Sequence, residues 1–277
     1  MMAVVGTSPR LGSMGALLRA SHLGPTLAVT LLATAYGVSA GLAPGRVVLV
    51  AAAVLAGQLS IGWCNDLVDL PRDRAVGRTD KPLATGELPE RTARIACGAA
   101  VVVTVVLSLA CGVVAGVVHL VCVAAGWAYD LGLKATLLSW LPFAVAFGGL
   151  PVFVSLAAPG ADPPPVWVPV AGALLGIGAH LVNVVPDLAD DRATGVQGLA
   201  HRLGARRATL LAVVALVAAT GVVVLGASGA PRLVPLAALL AVAVLAAVAL
   251  LAHGRTPFRA AMAIAAVDVL LLVSVAR

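Results

Sequence analysis

Charged residues make up only 11% of this 277-residue chain and aromatic residues only 4%, against 61% hydrophobic. So little charge excludes a water-soluble domain of this length, which would need about a quarter of its residues charged. No polar stretch is long enough to form a separate soluble domain. The four cysteines, Cys64, Cys97, Cys111 and Cys122, show neither paired metal-ligand spacing nor a secreted disulfide framework. They read as small buried helix residues. A removable signal peptide is not expected either, because the first apolar run merges into a full-length span.

What is present is a series of apolar runs. A membrane span takes about 20 mainly apolar residues, and nine segments qualify: 24–43, 47–66, 92–110, 112–130, 136–157, 166–186, 207–227, 232–252 and 258–276. The uncharged stretch from Ile95 to Ala128 would run about 51 Å as one helix, against a hydrocarbon core of about 30 Å. Two spans turning near Cys111 and Gly112 fit better.

Charge supports that count. With nine spans and an inside N-terminus, fifteen of the eighteen basic residues fall on inner segments, and only Arg46, Arg232 and Arg277 lie outside. This is the positive-inside pattern. The net charge of +6 therefore describes one membrane face, suited to anionic headgroups or phosphorylated substrates rather than to nucleic acid. Ten of the twelve acidic residues also fall inside, Asp162 and Asp268 being the exceptions. The expected class is an all-α polytopic membrane protein, one domain over residues 1–277, in a bacterial cell membrane with its acidic loops on the cytoplasmic side.

Topology predicts the basic excess but not the acidic clusters. NDLVDLPRDRAVG, from Asn65 to Gly77, and NVVPDLADDRATG, from Asn183 to Gly195, share one pattern. Asn65, Asp69 and Asp73 repeat at spacings of four, as do Asn183, Asp187 and Asp191. Residues four apart stack on one helix face, so each copy offers a column of oxygen ligands. Both sit at the inner end of an even-numbered span, which points to a duplication with halves of roughly 15–134 and 135–277. Facing carboxylates repel and lose hydration, at several kcal/mol each unless paired or metal-bound. Mg²⁺ suits such a site, since it binds one or two carboxylates and takes further ligands from substrate phosphates. Solvated helix ends with local Asp–Arg pairs would explain one such motif, but not two matched copies. Pro71 and Pro186 lie inside the columns, so kinks are expected there. Arg74, Arg78, Lys81, Arg192, Lys134 and Arg19 are available for phosphate oxygens, and Lys134 is the only basic residue on its loop. His180 falls one turn above Asn183, and Asp268 lies mid-span, away from both motifs.

The segments NDLVDLPRDRAVGRTDKPLATG and NVVPDLADDRATGVQGLAHRLG resemble the two signatures of the UbiA superfamily of intramembrane prenyltransferases. YDLGLKATLLSWLP resembles that family's stretch between the fourth and fifth helices. The resemblance implies nine helices around a central cavity and a Mg²⁺-dependent ionisation of an isoprenyl diphosphate. It also implies capture of the allylic cation by a lipophilic or aromatic acceptor. Position by position, it casts Asn65, Asp69, Asp73, Asp187 and Asp191 as metal ligands, joined by Asn183 through the internal repeat. It casts Lys134 and Arg19 as diphosphate contacts and Tyr129 as a ring near the reacting carbon. One departure stands out: after Gly195 the family carries a basic residue and then Ser or Thr, whereas here Val196 precedes Gln197, Gly198 and Leu199.

Two other readings share these features. A terpene cyclase would use the same ionisation without an acceptor, though it would favour more aromatics than this chain has. A transporter with repeated halves would place its ionisable residues near the bilayer midplane rather than at helix ends. The topology itself is open to test. A cysteine introduced at position 80 should resist impermeant labelling from the outer face and one at position 160 should accept it. Labelling of position 80 from outside would overturn the arrangement.

Overall fold

A backbone inside a bilayer has no water to bond, so the chain must satisfy its amides internally, and here it does so in helices. The computed structural model describes residues 9–188, 197–227, 233–252 and 254–275, without the side chains of 9–13 and 187. Ten α-helices fall within them. They are α1 (Pro9–Ala20), α2 (Leu23–Ser39), α3 (Pro44–Ala75), α4 (Glu90–Ala110), α5 (Val113–Asp130), α6 (Leu141–Leu156), α7 (Trp167–Val184), α8 (Leu199–Gly226), α9 (Leu233–Leu251) and α10 (Thr256–Ser274).

Each of the nine expected spans corresponds to one helix from α2 to α10. Among the described residues, seven helices are long and apolar enough to cross a membrane, and eight if Met14–Ala20 and α2 form one bent span. By that measure the count falls short of nine. The short member is α6, whose 16 residues make about 24 Å of helix against a core of about 30 Å. The uncharged stretch after Ile95 does divide into two helices, with Gly112 at φ 123° in the turn. Pro71 does not break α3, which runs on through the first motif. Pro186 instead begins the short 3₁₀ turn Val185–Asp187 that follows α7.

Consecutive helices from α2 to α8 pack as neighbours, and α10 returns to α2, α7 and α8, closing a ring. Helix α9 sits outside it against α8 and α10 and buries only Val242 and Ala249, so most of its apolar side chains stay exposed on the outside of the ring. Small residues bring the ring members close. A Cβ on Gly172 or Gly176 would lie 2.4 Å from the carbonyl oxygens of Phe147 and Phe143, the small-xxx-small packing of membrane helices. Polar contacts stitch α3 to α5: Trp127 Nε1 donates to Ser60 Oγ at 3.2 Å and Asn65 Nδ2 to Asp130 Oδ1 at 3.0 Å. This pairing sets the end of α5, and the turn after it, beside the first motif.

The break between α1 and α2 bends the chain by 72°, with His22 held at φ 53°, a left-handed conformation uncommon for residues other than glycine. Gly62 of α3 receives that corner, since a Cβ there would lie 2.4 Å from Ser21 O. Gly62→Ala should therefore push the corner off α3, at a cost of about 1–3 kcal/mol from overpacking. Gly24, by contrast, has nothing within 4 Å of its Cβ position, and Gly24→Ala should be neutral or stabilising by about 0.5–1 kcal/mol. Unfolding of the two variants in one detergent checks the difference, and equal midpoints would refute it.

Candidate active site

Four buried carboxylates lie toward the ends of α3 and α5. Asp66, Asp69 and Asp73 follow at i, i+3 and i+7, so they share one face of α3, and Asp130 ends α5 beside them. All are at most 9% exposed. Lys134 Nζ donates to Asp69 Oδ1 at 2.6 Å, and an Arg72 nitrogen donates to Asp69 Oδ2 at 3.2 Å. Arg72 also lies 3.9 Å from Asp73. Lys81 Nζ donates to Asp66 Oδ1 at 2.5 Å, and His22 Nε2 lies 2.9 Å from the same oxygen. Asp66 Oδ2 and Asp130 Oδ2 have no hydrogen-bond partner among the described residues.

The expected column of Asn65, Asp69 and Asp73 lies wholly on α3. Asn65 donates to Asp130 on α5, and Asp66 takes a place on the shared face with Asp69 and Asp73. The spacing of four concealed Asp66, although its i, i+3, i+7 relation to the other two was there to be read. Nothing in the sequence marked His22, which reaches Asp66 only because the α1–α2 corner folds onto Gly62.

The basic residues separate into two groups. Lys81 and Lys134 are mostly buried and hold the site's carboxylates. Arg19, Arg74 and Arg78 stand on the rim with acidic partners of their own. Arg19 pairs with Glu87, Arg74 lies 4.0 Å from Glu90, and Arg78 grips Asp80 with contacts of 2.8 and 2.7 Å. The hydrogen bond from Arg78 brings the exposed Asp80 carboxyl down to about 2.

On the second side, Asn183 is exposed near the end of α7 and Asp187 closes the 3₁₀ turn. Asp191 and Arg192, like the Asp187 side chain, lie outside the described residues. The chain resumes at Gln197, whose side chain is exposed. A Cβ on Gly198 would stand 2.5 Å from Lys134 O, and Leu199 N donates to Ser139 Oγ at 3.2 Å. Gly198 therefore lets the returning chain dock on the turn that carries Lys134. The departure at Gln197 gives way, one residue later, to a position only glycine fits.

An aromatic wall adjoins the carboxylates. Tyr129 meets Phe143 edge-on at 5.2 Å and His180 at 5.7 Å, and Phe143 stacks toward Phe147 at 6.5 Å. His180 Nε2 lies 3.1 Å from Ser139 Oγ, so this histidine is both a hydrogen-bonded core residue and part of the wall. Asp268 is buried away from the motifs, where it accepts a hydrogen bond from Thr220.

The donor set fits a hard cation. Its atoms are carboxylate and amide oxygens, as Mg²⁺ requires, and Lys134 Nζ already stands on Asp69 as a cation would. Among the described residues no three Asp, Glu, His or Cys side chains are grouped closely enough to hold a metal by themselves. The α3 carboxylates would need ligands from across the ring.

The model of the UbiA prenyltransferase family matches residues 23–270, which bears out the resemblance seen in the motifs. No curated protein matches the chain. Among solved structures, a UbiA homologue from Archaeoglobus fulgidus bound to GPP and Mg²⁺ superposes with a TM-score of 0.70 at 17% identity, over 94% of this chain and 99% of that one. The apo UbiA homologue from Aeropyrum pernix K1 gives 0.70 at 20% identity, over 87% and 94% of the two chains. A structure of digeranylgeranylglyceryl phosphate synthase gives 0.69 at 16%, over 95% and 98%. At these identities the likeness establishes the fold.

Asp66 Oδ1 meets both Lys81 and His22, so its removal should be costly. Asp66→Ala should lower stability by about 3–5 kcal/mol, because it strands Lys81 without its buried partner. Asp66→Asn, which keeps an oxygen in place, should lose less. Denaturant unfolding in detergent measures both, and an Asp66→Ala variant as stable as the parent would show that the pair carries no weight.

Proposed function

The chain belongs to the UbiA prenyltransferase family, and on that premise we propose that it is a magnesium-dependent intramembrane prenyltransferase. Its donor is an isoprenyl diphosphate and its acceptor a lipophilic or aromatic molecule. The observation that carries this reading is the buried carboxylate face of α3, with Lys134 and Lys81 bound to it, beside the Tyr129–Phe143 wall. Relatives solved with GPP or DMAPP and Mg²⁺ support the same class of donor.

In this reading Asn65, Asp69 and Asp73 together with Asn183, Asp187 and Asp191 would hold the metal. Bound Mg²⁺ supplies positive charge against the diphosphate oxygens as the leaving group departs. Lys134 and Lys81 turn from their carboxylates to the diphosphate, helped at the rim by Arg19, Arg74 and Arg78, and Arg192, outside the described residues, is assigned the same role. The C1–O bond breaks with its electron pair on the diphosphate. The faces of Tyr129 and Phe143 stabilise the allylic cation left behind. The acceptor then forms its bond to C1 and loses a proton. The fifteen-to-three distribution of basic residues supports a site at the cytoplasmic face.

The aromatic wall also suits a cyclase, in which the cation closes on itself. Pyrophosphate release with and without candidate acceptors separates the two, since only transfer depends on the acceptor. For either reading, Asp69→Asn and Asp187→Asn should abolish pyrophosphate release at limiting Mg²⁺. Near-normal activity in both would refute the metal assignment. Each charge-assisted contact to a phosphate oxygen is worth about 1.5–3 kcal/mol, so Lys134→Ala and Lys81→Ala should raise the donor's Kd roughly ten- to a hundredfold. Gln197→Ala should change it far less. If Gln197→Ala were the most damaging, the first motif would not dominate diphosphate binding.

A further inference from the structure

Helices α3 and α5 run side by side in the same direction and in one register. A Cβ on Gly57 would lie 2.8 Å from Val123 Cγ2, and one on Gly126 would lie 2.6 Å from Ile61 Cδ1. At that level Trp127 donates to Ser60, and one turn farther along both helices Asn65 Nδ2 donates to Asp130 Oδ1 at 3.0 Å. Residues four apart stack on one helix face, so Ile61 leads to Asn65 and Gly126 leads to Asp130. Glycine contacts therefore hold the two backbones close up to the turn where the first motif begins.

Asp130 belongs to neither motif, and it is a costly residue for this place. It is 3% exposed, Asn65 meets only its Oδ1, and its Oδ2 has no hydrogen-bond partner among the described residues. A neutral asparagine there would tie α3 to α5 without burying a carboxylate. The carboxylate does one thing that an amide cannot. It only accepts hydrogen bonds, so it takes the NH₂ end of the Asn65 side chain and excludes the carbonyl end. Asn65 is half-buried, and its Oδ1, turned away from that bond, accepts no hydrogen bond among the described residues. An amide at position 130 would bond Asn65 in either sense, and when it donated it would cover that oxygen.

Resting on the prenyltransferase reading, in which Asn65 is a ligand of Mg²⁺, we propose that Asp130 is a positioning residue for the metal. It grips the Asn65 amide nitrogen and so presents Oδ1 as the ligand atom. Mg²⁺ takes oxygen ligands, and a reversed amide would direct its N–H groups at the ion instead. Hydrogen-bond partners behind metal ligands act in this way, and their loss costs about ten- to a hundredfold in metal affinity.

The experiment uses the purified full chain with dimethylallyl S-thiolodiphosphate, a non-ionising donor analogue, and Mn²⁺ in place of Mg²⁺. Free Mn²⁺ is followed by its EPR signal, against the analogue without protein. Asp130→Asn should raise the Mn²⁺ Kd about ten- to a hundredfold, while its unfolding temperature without metal matches that of the parent chain. In an Asn65→Ala background the same substitution should change Kd less than about threefold, because the group that Asp130 orients is gone. A through-space effect of the Asp130 charge on the ion would persist in that background. Equal losses in both backgrounds, or a Kd unmoved by Asp130→Asn, would overturn the positioning role and leave the prenyltransferase reading intact. Should Asp130→Asn fail to fold, Asp130→Ser, which also removes the obligate acceptor, is held to the same two outcomes. Absence of Mn²⁺ binding by the parent chain, or binding that Asp69→Asn leaves unchanged, would instead overturn the reading on which the inference rests.

Discussion

The cost of burying carboxylates at a membrane helix end governs this structure. Asp66, Asp69, Asp73 and Asp130 are almost wholly removed from solvent, and an unpaired charge there would cost several kcal/mol. Lys134, Lys81 and Arg72 offset that cost. They come from different segments: a turn after α5, a loop before α4, and α3 itself. Pairing them with the acids fixes where those segments lie. The loop from Val76 to Pro89 is thereby tied to α3 through Lys81, and the turn at Leu133–Ala135 through Lys134.

Close backbone approaches make these pairings possible. Gly62 admits the α1–α2 corner and so delivers His22 to Asp66. Gly198 admits the chain that returns after the second motif and sets it on the Lys134 turn. The two halves of the site thus converge on one lysine: its side chain touches the first motif, and its backbone oxygen touches the segment after the second. A cation so placed is suited to an anionic ligand that must be gripped from both sides.

The polar end and the apolar interior divide the work of the ring. At one end, charge-assisted bonds of 2.5–3.2 Å tie Lys81, Lys134 and Arg72 to buried carboxylates. Along α6, Phe143 stacks toward Phe147, and farther on Leu150 and Val154 are buried.

Much of this was legible in the sequence, because its governing physics is local. Hydropathy located nine helical segments, since a backbone in lipid has no alternative to the helix. The absence of charge from Ile95 to Ala128 showed that two helices lie there. The matched motifs, with Asp69 and Asp73 among their residues, and Lys134 as the only basic residue on its loop, pointed to a site for hard cations and phosphate. Contacts between distant segments were not legible. The spacing of four hid Asp66, whose importance lies in reaching Lys81 and His22, and no pattern marked His22 at all. Pro71 read as a kink because sequence cannot tell that α3 continues past it, whereas Pro186 does begin a different helical turn. The length of α6, the crossing of α3 on α5 and the closure of α10 onto α2 were decided by packing. Hydropathy and motif spacing act within one segment of chain, and so sequence determined the helices and the chemistry of their ends. Which side chains meet, and how much space they leave between them, depends on segments brought together from across the chain, and only the tertiary structure decided that.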